Sequence, residues 1–159
     1  MRRSALRARP ADNHLTRVEW EAVRLTLLVR SGALCEARTP HCLAAPTGLL
    51  SHRPDGRVVP CSVHHRVPQG SGGTDDPDAH RYDRLLIFCG DGVAGCHAWV
   101  ESQRAAAEAR GLLLRHAASP EATSALAEST PLELVSGRLV LLDPLGGFYV
   151  DHGWRIPTR

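Results

Sequence analysis

The chain has 159 residues and a net charge of only +2, enough for one domain with a modest core. No uninterrupted apolar run approaches the length of a bilayer span, and the opening stretch "MRRSALRARPADNH" lacks the apolar centre of a secretory signal, so a soluble, cytoplasmic protein with no membrane partner is expected. Every basic residue is Arg and Lys is absent; this composition permits a nucleic-acid partner without requiring one, since the guanidinium fork grips phosphate bidentately.

In chain order, residues 1–15 read as a flexible basic arm. Thr16 followed three residues later by Glu19 is a capping box, and Val18, Ala22, Leu25, Leu28 and Val29 recur at helical spacing, so an amphipathic helix is predicted to run from Val18 to Arg30 and end near Gly32. Pro and Gly punctuate the span from Leu43 to Pro60, a loop with a short strand near Val58 and Val59. "SVHHRV" reads as a strand, "PQGSGGTDDPDAH" as a long turn, "RLLIFC" as a second strand, and "CHAWVESQRAAAEARG" as a helix that stops at Gly111. Residues 16–114 are thus expected to form the main domain. Residues 115–130 are expected to be a linker, and 131–159 a small β appendage of short runs broken at Ser136-Gly137 and Gly146-Gly147.

Two features carry chemistry. The five cysteines include two equal pairs, Cys35/Cys42 in "CEARTPHC" and Cys89/Cys96 in "CGDGVAGC", each with six intervening residues. Two such knuckles can close a tetrahedral four-thiolate Zn2+ site of structural type. Cys61 falls outside the pattern and reads as a small buried hydrophobe. The second feature is the pair His64-His65 at a strand end, followed by His97 and Glu101 on the later helix. Strand neighbours point to opposite sides, and helix positions four apart share a face. His64, His97 and Glu101 can therefore surround a divalent ion while His65 stays free to take a proton from water. Trp20, Trp99 and Trp154 are expected to pack the core. His14, His41, His52, His80, His116 and His152 show no partner pattern and are expected to face solvent.

The ordered combination "VHHRVPQGSGGTDDPD" and "LLIFCGDGVAGCHAWVES" resembles the HNH endonuclease family, in its short actinobacterial and actinophage form with zinc-knuckle cysteines, over roughly Leu34 to Leu114. The resemblance implies an α+β fold: a ββα-metal (HNH) finger with structural zinc knuckles, an N-terminal helix and the small C-terminal β appendage. It implies a metal-dependent endonuclease hydrolysing double-stranded DNA, in a bacterial cell or phage-infected host, with phage DNA-packaging (terminase) proteins as further partners. By the same resemblance His65 is the general base, and His64 and His97 hold Mg2+ or another divalent ion with Glu101 beside them. Cys35, Cys42, Cys89 and Cys96 hold the zinc. Arg66 and Arg84 are the candidate phosphate contacts. Arg84 stands where the family carries its central Asn, and the chain's only asparagine is Asn13. A catalytically impaired DNA-binding or packaging-associated zinc module is the alternative that this substitution implies.

Overall fold

The computed structural model describes residues 15–51, 55–69, 74 and 76–151. Residues 1–14 of the expected basic arm, the loop glycines Gly70 to Gly73, His52, His152 and Trp154 lie outside them.

Helix α1 (Arg17–Arg30) starts at the capping box: Thr16 Oγ1 accepts from Glu19 N at 3.3 Å, and Thr16 N donates to Glu19 Oε2 at 2.7 Å. Its buried stripe is not the expected one. Val23, Leu27 and Arg30 face the core, whereas Val18 and Val29 are 79% and 77% exposed. Arg30 explains the rotation, because its guanidinium is locked onto the buried Glu36 carboxylate at 3.0 and 2.9 Å and also donates to the carbonyls of Tyr82 and Leu85. Glu36 accepts two further bonds, from Ile87 N and from the Tyr149 hydroxyl, so all of its lone-pair directions are used.

Strands β1 (Cys61–His65) and β2 (Leu85–Asp91) pair antiparallel, with Cys61 opposite Cys89 and His65 opposite Leu85. A two-stranded sheet is marginal alone. Here it is held between helices: Ser62 and His64 face α2 (Gly95–Ser102), where both meet His97, and Cys61 and His65 face α1, where they meet Arg24 and Trp20. β2 is buried from Leu85 to Gly90 because both of its faces are covered. The helix expected to run unbroken to Gly111 divides at Gln103, whose backbone leaves the helical region at φ −108° and ψ 53°; α3 (Arg104–Ala109) follows. Gly111 then ends it at φ +68°, where a side chain would collide with the Pro131 carbonyl.

The chain beyond residue 114 differs from expectation. Residues 115–130 are no linker: Ser119 caps α4 (Pro120–Ser129), whose Thr123, Ser124 and Ala127 are buried. The sheet of β3 (Leu132–Glu133), β4 (Leu139–Leu142) and β5 (Tyr149–Asp151) is no appendage either. Its Leu132, Val140 and Leu142 belong to the same core as Leu85 to Cys89. The protein is therefore α+β, with four α-helices and two small antiparallel sheets around a shared core among the described residues. No helix among the described residues is long and apolar enough to cross a membrane.

Candidate metal centres

Cys35 follows α1, Cys42 ends a turn, Cys89 lies on β2 and Cys96 opens α2, yet their four sulfurs lie within 4.8 Å of one another. Tetrahedral arms of about 2.3 Å place sulfurs about 3.8 Å apart. Cys42 Sγ is 3.6 Å from Cys89 Sγ, and all five cysteines are free thiols. The surroundings suit thiolates: Leu43 N and Cys96 N donate to Cys89 Sγ at 3.2 and 3.5 Å, Cys89 N donates to Cys35 Sγ at 3.3 Å, and Thr39 N donates to Cys96 Sγ at 3.2 Å. Hydrogen bonds from neighbouring sulfurs divide the cluster, pulling Cys89 down and Cys42 down to about 7 while Cys35 is pushed up. Donor type, separation and burial all fit a structural zinc ion. The six-residue spacer of the second knuckle works because Gly90 and Gly95 adopt φ +85° and +72° and approach so closely that a Cβ on Gly90 would strike the Ala94 carbonyl.

The second cluster lies between β1 and α2. His64 Nδ1 is 3.6 Å and His97 Nε2 3.9 Å from the same oxygen, Glu101 Oε1. Ligands on arms of about 2.1 Å sit roughly 3 to 3.5 Å apart, so these separations describe a slightly open cage. His64 is buried, His97 half-buried and Glu101 exposed, which opens the cage to solvent on the carboxylate side. Burial pushes His64 down to about 3, aided by repulsion from His97 and His65, and also lowers His97, against the pull of Glu101. Both rings are thus held in the neutral form that ligates metal. His64 Nε2 is buried without a hydrogen-bond partner among the described residues, and Phe88 stacks on the ring at 4.9 Å.

Ser62, which the sequence reading passed over, sets the tautomer of His97. Its hydroxyl donates to the Gly90 carbonyl at 2.7 Å and lies 2.7 Å from His97 Nδ1. A hydroxyl has one proton; with that proton on Gly90, Nδ1 must be the donor, and the lone pair is left on Nε2, facing Glu101. The alternation of β1 made this partner findable, since Ser62 lies two residues before His64 on the same face.

His65 points the other way. Its Nε2 lies 3.2 Å from His80 Nδ1, and Trp20 meets both rings edge-on at 5.8 and 5.1 Å. Burial lowers His65 to about 4, with His80 and His97 adding repulsion. His80 is thus a half-buried partner of His65 and does not simply face solvent. Cys61 stays outside the thiol cluster and accepts from Arg24 Nη2 at 3.3 Å.

The two arginines expected on phosphate are corrected. Arg66 is fully buried and donates to the carbonyls of Asp83, Gly111 and Thr130 at 2.7, 2.8 and 3.0 Å. Arg84 is also buried, paired with Asp76 at 2.5 Å and donating to Ser124 Oγ at 2.7 Å and the Pro120 carbonyl at 3.2 Å. Each guanidinium binds distant segments of the chain together and has no open face for a phosphate.

Comparison with protein-family models, with curated proteins and with solved structures finds no match.

Proposed function

We propose that this protein is a metal-dependent nuclease of the HNH type that hydrolyses phosphodiester bonds in double-stranded DNA, built on a ββα-metal finger. The observation that carries the reading is the meeting of His64, His97 and Glu101 within 4.8 Å at the junction of β1 and α2, with a second imidazole, His65, adjacent in the chain. A bound Mg2+ or similar divalent ion would stabilise charge on the phosphate and on the leaving oxygen.

The chain's own residues supply the rest. His64 and His97 present neutral imidazoles to the ion, and Ser62 orients His97. His65 takes the proton of the attacking water, and its bond to His80 holds the ring in one orientation. The thiol cluster, with zinc, anchors β2 through Cys89 and the first turn of α2 through Cys96, the residue before His97. Arg84 stands in the place of the motif Asn. Its buried bond to Ser124 Oγ and its bond to the Pro120 carbonyl tie the segment before β2 to α4, a bracing role that needs no contact with the reacting atoms.

That same burial favours the second reading, a zinc-stabilised DNA-binding module without turnover, since the Asn position offers no side chain to the metal cluster. Supercoiled plasmid separates the two. Nicking that needs Mg2+, is abolished by EDTA and falls by roughly two to four decades in His65→Ala supports the nuclease. Retention of plasmid with no nicking under any divalent ion selects the binding module.

A further inference from the structure

With Arg66 and Arg84 buried, the cations that a substrate of His65 would meet must come from elsewhere. His65 lines an open cleft of ≈ 400 Å³ whose other walls are Val63 on β1 and Arg17, Trp20, Glu21 and Arg24 on α1. Those four helix positions, separated by three, one and three residues, form one face of α1. Trp20 is half-buried and holds the His65–His80 pair at the edge of the cleft.

The polar groups of this face are unequally engaged. Arg24 donates to Glu21 Oε1 at 3.2 Å and to the Cys61 sulfur at 3.3 Å, a weak acceptor that leaves most of the guanidinium's donor capacity for a ligand. Arg17 is exposed and has no ion-pair partner among the described residues. Two guanidinium groups against one carboxylate leave the cleft cationic.

We infer that this cleft seats the sugar-phosphate backbone of the strand that His65 addresses, with Arg17 and Arg24 as the phosphate contacts and Glu21 as a competing anion. The inference takes its substrate from the nuclease reading above. Seven residues of helix separate the two arginines by about 10 Å along the axis, so each meets a phosphate of its own. Glu21 holds the Arg24 fork when the cleft is empty and opposes the incoming phosphate. Removing its charge should therefore strengthen binding.

The experiment is a salt titration of binding to a fluorescent duplex by the full chain without added Mg2+, for wild type, Arg17→Ala, Arg24→Ala and Glu21→Gln, with plasmid nicking measured in parallel. Each arginine variant should lower the slope of log affinity against log salt by about one unit, and Glu21→Gln should bind more tightly than wild type. Arg17→Ala is the decisive variant, since its side chain is exposed and has no ion-pair partner among the described residues. Wild-type slopes in both arginine variants, beside a wild type that nicks, overturn the cleft and leave the nuclease standing. A wild type that binds without nicking, but whose slope falls in the variants, supports the cleft and removes the hydrolytic reading. A wild type that does not bind duplex at all overturns both.

Discussion

Replacing Arg66 with Met tests whether this residue is a structural hub, as its burial requires, or a phosphate contact, as its place beside His65 suggests. The side chain is fully buried and makes three bonds of 3.0 Å or shorter to carbonyls on the turn before β2, at the end of α3 and after α4, plus a longer one to Ala127. Each carbonyl left without a donor costs about 1 to 3 kcal/mol. Against that stands the desolvation cost of the guanidinium, which burial reveals by pushing it down to about 10 and which Met avoids. The difference is a net loss of about 3 to 5 kcal/mol, a large share of the roughly 5 to 15 kcal/mol that holds a domain folded. Urea unfolding followed by circular dichroism should show the midpoint falling with little change in slope. Arg66→Lys should recover little, because an ammonium cannot span carbonyls arranged for a planar fork. Stability within about 1 kcal/mol of wild type would refute the hub, and a lowered salt slope of duplex binding in a still-folded Arg66→Met would restore the phosphate contact.

Two further outcomes follow from the clusters. Cys89→Ser removes the sulfur that receives bonds from Leu43 and Cys96, so zinc content and melting temperature should fall together, whereas Cys61→Ser should change neither zinc content nor the response to chelator; equal zinc in wild type and Cys89→Ser would sink the four-thiolate site. Ser62→Ala frees the His97 tautomer and should weaken divalent-ion binding at the His64–His97–Glu101 centre by about 10- to 100-fold while leaving the bound zinc intact, as measured by calorimetric titration with Mn2+. Unchanged Mn2+ affinity would show that Ser62 does not position the ring.

Local signals carried much of the architecture. The capping box at Thr16 and Glu19, the strand character of β1 and β2, the glycine stop at Gly111 and the equal cysteine spacings depend on neighbours within a few residues, and such patterns are written directly in the chain. The placing of His97 and Glu101 on one helix face and of His64 and His65 on opposite strand faces is equally local, whereas the approach of His64 to that helix face depends on how β1 and α2 pack. What tertiary structure decided was which surfaces are covered. Val18, Leu25 and Val29 have the spacing of a buried stripe, yet the Arg30–Glu36 pair turns Val23 and Leu27 inward instead. Arg66 and Arg84 read as surface cations because arginine is seldom buried; their partners lie as far as 64 and 40 residues away, beyond the reach of any local pattern. The helix in residues 115–130 likewise gains its place by packing Ala127 and Ser124 against the rest of the chain. Periodicity says that a face exists, but only the full set of packing partners determines whether that face meets water or the core.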